Sequence, residues 1–211
     1  MVRAVGWTAF PAGPGLTRRQ SALHDGYHLM RYPDGHNDAV RARIVERASR
    51  TLRREGLDDV SIPKLMKAAG LTHGGFYVHF EDRDALVAEA VAHAARDSTF
   101  ASEGATAEEA FARYLSRDHL DHPEYGCVIA ALGDEGARQR GRVGRAFAEA
   151  ARGLLGKIEK KLHPRSEGRA PSDETLQKAA QIVGAVVLAR LVQDDALAER
   201  LLATAKERVG R

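Results

Sequence analysis

The 211-residue chain holds a single cysteine, Cys127, so no intrachain disulfide can form and the thiol is either free or paired with another molecule. It holds no run of 18 or more apolar residues, which excludes a transmembrane helix as residues of that kind build it. Residues 1–11 include an Arg and a Trp but no sustained apolar stretch of a secretory signal. The expectation is a cytoplasmic protein with no membrane partner. Phosphate-binding loops, nucleophile elbows and metalloprotease motifs are missing, so no enzyme is expected and no cofactor is implied. His119, His122 and Cys127 lie near one another in sequence, but their spacing matches no common zinc pattern and Pro123 interrupts the local helix. No metal site is expected. No alternating β-rich run is long enough to compete with a helical period, and no internal repeat is evident.

The formal net charge is only +3, and its distribution says more than its sum. Arg41, Arg43, Arg47, Arg50, Arg53 and Arg54 face Glu46 alone within one short stretch. Such a run is either a solvated helix face or an attractor for phosphate. Hydrophobic residues make up 44% of the chain, enough for a sizeable core.

Residues 1–36 are rich in Gly and Pro, show no helical period, and read as a flexible extension. Met30, which opens MRYPDGH just ahead of the first periodic segment, is a second candidate start of translation. From Asn37 onward the pattern is helical. Val40, Ile44, Ala48 and Leu52, with Val45 beside them, make one apolar stripe that Gly56 ends. Ser61 caps a second helix with Ile62, Leu65, Met66 and Ala69 inward and Pro63 in its first turn. Gly70 closes it. Thr72 caps a short third helix whose inner face is Phe76 and Phe80, and Asp82 caps a fourth with Leu86, Val87, Ala90, Val91 and Ala94. Five further helices are expected over 105–120, 127–139, 141–162, 172–193 and 195–209. The class is all-α: an N-terminal three-helix unit, 37–83, joined to a larger helical part, 84–211.

AGLT, residues 69–72, joins the second and third helices through a tight Gly-containing turn, which makes them a helix-turn-helix. The second helix of such a unit enters the DNA major groove. Ile44, Leu52, Val60, Leu65, Leu71, Phe76 and Phe80 would close a small core beneath it. At about 100° per residue, Gly74 and Val78 fall opposite Phe76 and Phe80. Two adjacent glycines in a short helix need either close helix packing or close approach to a groove and its phosphates.

Residues 61–87, SIPKLMKAAGLTHGGFYVHFEDRDALV, resemble the N-terminal signature of the TetR/AcrR family of transcription regulators. The likeness rests on the helix-turn-helix followed by Phe76, Tyr77, His79, Phe80 and Arg83, and it spans about 39–86. It implies an N-terminal three-helix helix-turn-helix domain, 37–83, joined to a larger helical ligand-binding and dimerisation domain, 84–211, in a ligand-responsive repressor that binds palindromic double-stranded operator DNA as a homodimer and is released by a small-molecule inducer or an electrophile. It implies a phosphate contact for Ser61. Thr72, His73, Gly74 and Gly75 would sit in the major groove, and Tyr77 would touch phosphate or base. Val78 would meet a thymine methyl, and His79 and Arg83 the backbone. Arg83 stands where the family usually has Lys, which keeps the charge.

In the second half, residues 179–192 are apolar almost all round, as in a helix buried in a core or against a partner. Dimer contacts are expected from Val183, Val187, Leu191 and Leu201. Phe100, Phe111, Tyr114, Leu115, Phe147 and Leu154 are candidate ligand contacts because they are bulky and fall on the middle helices; each could equally be plain core. Cys127, at a helix start, joins them. Helix N-termini favour thiolates, and a Gly-Cys here resembles a family subset that includes electrophile-responsive repressors. The alternative is a small buried hydrophobe.

Overall fold

A computed structural model describes residues 36–58, 61–97, 100, 105–165 and 170–210. The expected extension up to residue 35, and Val60, lie outside the described residues. Every regular element among the described residues is helical. The helices are α1 (His36–Glu55), α2 (Ile62–Ala68), α3 (Phe76–His79), α4 (Arg83–Arg96), α5 (Ala107–Tyr114), α6 (Arg117–Asp121), α7 (Val128–Arg138), α8 (Gly141–Leu162), α9 (Asp173–Leu191) and α10 (Asp195–Val209). Short 3-10 turns, His73–Gly75 and Pro123–Tyr125, precede α3 and follow α6. No helix among the described residues is long and apolar enough to cross a membrane.

Most starts and stops follow local chemistry. Gly56 takes φ +90 and Gly70 φ +74, left-handed values that glycine adopts without steric cost. Asp82 and Ser172 accept from Ala85 and Thr175 backbone N–H groups and so cap α4 and α9. One expected helix divides. Residues 105–120 form α5 and α6, because Thr106 with Glu109 makes a capping box and Ser116 caps a second start by accepting from His119 N–H.

The core has two buried clusters. Ile44, Leu52, Leu65, Phe76 and Phe80 pack as expected, with Leu71 half-buried against them. The same cluster runs on through Leu86, Val87 and Val91 of α4 into Val128, Leu132, Val143 and Phe147. The second cluster joins α5, α6, the far end of α8, α9 and α10.

Helices α7 and α8 form a hairpin that meets the first helices. Gly141, with φ +62, turns the chain between them. Gly136 permits their close approach, since a Cβ there would lie 2.4 Å from the Phe147 ring. Arg142 then reaches Glu81 at 3.0 Å and Asp82 at 3.3 Å. Gly153 is the opposite case: it sits inside α8, and a Cβ would meet nothing within 4 Å. We therefore expect Gly136→Ala to lose about 1–3 kcal/mol by overpacking, and Gly153→Ala to gain about 0.5–1 kcal/mol from helix propensity. Urea denaturation of both variants checks the pair.

Candidate functional site

Ser61 Oγ accepts from Lys64 N–H at 3.4 Å and fixes the entry to α2. The chain reverses at Gly70, and Leu71 N–H returns to the Met66 carbonyl at 2.8 Å. Thr72 is extended and occupies the cap position of the next turn, but its side chain makes no cap hydrogen bond, so the cap expected there is positional only. Thr72 itself is exposed. His73–Gly75 form a 3-10 turn that runs into the single α-turn of α3.

Phe76 and Phe80 stack at 5.6 Å beneath this turn. On the other side Tyr77 is 65% exposed and Val78 71%, with Thr72, His73 and Gly74 exposed beside them. The Tyr77 ring stands edge-on between Phe76 at 5.1 Å and His73 at 6.1 Å. A Cβ on Gly74 would meet nothing within 4 Å, and one on Gly75 only ordinary contacts with Met66 and Thr72. Intramolecular packing therefore does not require either glycine. His79 is half-buried, and its carbonyl accepts from Arg41 Nε at 3.3 Å. Arg83 is also half-buried and donates to the Leu57 carbonyl, which ties the start of α4 to the end of α1.

The basic run is not one cationic face. Arg41 pairs with Glu89 and lies 4.6 Å over the Phe80 ring. Arg50 pairs with Glu46, Arg54 with Glu124, and Arg53 is buried. Arg43 and Arg47 are exposed. Arginines whose partners lie far along the chain look like surface charge in the sequence.

Of the candidate ligand contacts, Phe100, Phe111, Tyr114, Leu115, Cys127 and Leu154 share the second cluster. The Phe100 ring lies 5.4 Å from both Phe111 and Tyr114. Phe147 is not with them. It belongs to the first cluster and lines an open groove of about 570 Å³ between α7 and α8. Seven residues of helix, about 10 Å of rise, separate it from Leu154, enough to place the two in different cores.

Cys127 is buried at the N-terminus of α7. The Tyr114 hydroxyl is wholly buried beside the Cys127 sulfur and makes no hydrogen bond of regular geometry. Burial pushes that hydroxyl well above its ordinary value, and the neighbouring thiol adds to the shift; it stays a neutral proton donor. Two groups near Cys127 have roles that the sequence reading did not give them. His119 is buried, with Nδ1 2.6 Å from the Tyr114 carbonyl and Nε2 accepting the Cys127 N–H at 2.9 Å. A carbonyl cannot donate, so Nδ1 carries the proton and the ring is neutral. Arg190 of α9 donates to the carbonyls of His119 at 2.7 Å, Leu120 at 3.2 Å and Ala130 at 3.2 Å. An Arg inside a long apolar helix was the one available signal for it.

On α9, Thr175, Ala179, Ile182, Ala185, Val186 and Ala189 face inward. The outer side carries Leu191, 68% exposed, and half-buried Val183 and Val187. Leu201 on α10 is half-buried as well.

Burial holds His119 down to about 4, and Arg190 and Arg53 push the same way against the Tyr114 carbonyl. The unfolded chain, with an ordinary His, binds a proton first as pH falls. The stability from the neutral ring is therefore complete above about 6.5 and is lost as pH drops toward 4. Wild type should lose about 3 kcal/mol from this group across that window. The difference in unfolding free energy between wild type and His119→Gln, followed from pH 7 to pH 4, should shrink accordingly.

No curated protein matches the chain. The family model of bacterial regulatory proteins, tetR family, matches residues 44–90, which hold most of α1, the helix-turn-helix and the first half of α4. Solved structures of the same fold cover most of the chain. The reduced form of Escherichia coli NemR aligns over 81% of this chain and 95% of its own, with a TM-score of 0.63 and 16% identity. A TetR-family regulator from Agrobacterium tumefaciens aligns over 82% and 98%, with a TM-score of 0.62 and 17% identity. One from Cytophaga hutchinsonii aligns over 82% and 94%, with a TM-score of 0.61 and 19% identity. Residues 44–90, with the helix-turn-helix and the stacked Phe76 and Phe80 beneath it, thus match the model of bacterial regulatory proteins, tetR family, and the all-helical body behind them shares the fold of solved TetR-family regulators.

Proposed function

We propose that the chain is a homodimeric repressor in the cytoplasm that leaves a palindromic operator when a small molecule or an electrophile reaches its second cluster. The reading head is 37–83, and 84–211 senses and dimerises. One observation carries the DNA-binding half of this reading: the turn His73–Gly75 and α3 present a side without intramolecular packing, although two glycines weaken the helix there. In the proposed complex Thr72, His73, Gly74 and Gly75 enter the groove, and Val78 meets a thymine methyl. Ser61, Tyr77, His79 and Arg83 face the phosphates. With so few long polar side chains, readout leans on His73 and on DNA shape.

For the sensing half, Phe100, Phe111, Tyr114, Leu115 and Leu154 are the proposed wall and Cys127 the reactive member. The support is the fully buried Tyr114 hydroxyl, which has only an irregular contact with the weakly accepting thiol beside it, so a ligand oxygen or adduct would satisfy it better. Phe147, in the other cluster, has no part in that wall. For pairing, the outer apolar side of α9 with Leu201 of α10 would form the dimer contact.

The direct experiment is a mobility shift of the full chain on the DNA upstream of its own gene. Gly74→Ala should keep or slightly raise thermal stability yet weaken binding about tenfold or more, because the added methyl intrudes only on the partner. Undiminished binding by that variant would remove the face from the interface. In sedimentation, Val187→Glu should yield monomers or insoluble protein. An unchanged soluble dimer would move the pairing surface elsewhere.

A further inference from the structure

The turn that carries Cys127 is held from two sides by arginines. From α1, buried Arg53 donates through Nη1 to the Gly126 carbonyl at 2.6 Å. Its remaining nitrogens turn back to Ser49, Nε to the carbonyl at 3.2 Å and Nη2 to Oγ at 3.2 Å. One residue on, Arg54 pairs with Glu124 at 3.2 Å, and Arg50 lies 5.0 Å over the Tyr125 ring. Three arginines from the last turns of α1 thus grip three residues of the Pro123–Tyr125 turn and its cap. From α9, Arg190 holds the carbonyls of His119, Leu120 and Ala130 on either side of that turn.

The gripped turn has little room to yield. A Cβ at Gly126 would lie 2.3 Å from the His119 ring, so the glycine backbone is wedged between imidazole and guanidinium. The same imidazole accepts the Cys127 N–H. A displacement at Cys127 therefore shifts the Gly126 carbonyl, and Arg53 must follow it or leave a buried cation short of one acceptor. Arg53 belongs to the helix on which Phe76 and Phe80 pack.

We infer that Arg53, supported by Arg54 and Arg50, is a positioning clasp that couples the thiol-bearing turn to the reading head through α1. This rests on the DNA-binding reading above. It adds a route beside α4, which follows the recognition turn directly in sequence. With Arg190 on the far side, the turn becomes the common anchor of the head and of α9. A change there would alter the setting of the head against the helix proposed to pair.

Because Cys127 is the chain's only cysteine, an aromatic disulfide reagent such as 5,5′-dithiobis(2-nitrobenzoate) reports on that turn alone. Labelling rates are to be measured on the full chain, with and without upstream DNA, for wild type, Arg53→Lys and the double variant Arg54→Ala/Tyr125→Ala. The double variant alters only the solvent edge of the clasp and serves if Arg53→Lys does not fold. Lysine keeps the charge but cannot hold Gly126 and Ser49 together. In DNA-free protein of unchanged helix content, the variants should label about tenfold faster than wild type. Upstream DNA should slow labelling of wild type and lose most of that protection in the variants, as reciprocal coupling requires. A merely structural Arg53 would change stability and leave the ratio of rates with and without DNA intact. Folded variants that label at the wild-type rate, or keep full protection by DNA, would overturn the clasp. If wild type binds no upstream DNA, the proposed function fails and the coupling with it, and the DNA-free rates then decide only whether Arg53 holds the turn.

Discussion

A guanidinium leaves water only where oxygen atoms are already in place for it. Arg53 and Arg190 are such groups, and burial lowers the affinity of each for its proton. Their acceptors are main-chain carbonyls of the segment from His119 to Ala130, with Ser49 completing the set for Arg53. Between α6 and α7 that segment is irregular, so its shape depends on the helices that donate to it as well as on the burial of Leu120, Cys127, Val128 and Ala130. Neutral His119 completes the arrangement by joining the Tyr114 carbonyl to the Cys127 N–H.

The reading head obeys a different constraint. Its third element is barely one turn of α-helix extended by a 3-10 turn, far below the length at which a helix stands alone in water. Tertiary contact holds it: Phe76 and Phe80 are buried in the cluster of α1 and α4, with the Arg41 guanidinium over the second ring. Arg41 is fixed in turn by Glu89 on α4. The exposed side chains of the turn contribute little to this holding.

The helix-turn-helix was legible because its signals are local: the stripe of α1, Ser61 and Asp82 as caps, Gly70 as a left-handed turn, and two Phe residues four apart. The ends of α7 to α10 were legible for the same reason. The division of 105–120 was written in the sequence as Thr106 with Glu109, and again as Ser116, but a continuous helical period masked it. The roles of the arginines were not legible. Glu89, Glu124 and Gly126 lie tens of residues from their partners, and nothing local marks a guanidinium for burial. That Phe147 falls apart from the other candidate contacts was not legible, because bulk and helix membership do not say which of two clusters a long helix gives each residue to.

The open space around Gly74 has a consequence for how such a protein diverges. Residues that the fold does not use are free to change without a folding penalty. At His73, Gly74, Tyr77 and Val78 the side chains face outward over a support built from other positions. A duplicated copy of the gene could therefore change its outward surface through a few substitutions there, keeping its core unaltered. The turn around Gly126 is the reverse: crowded by His119 and held by Arg53, it leaves inheritance little to vary.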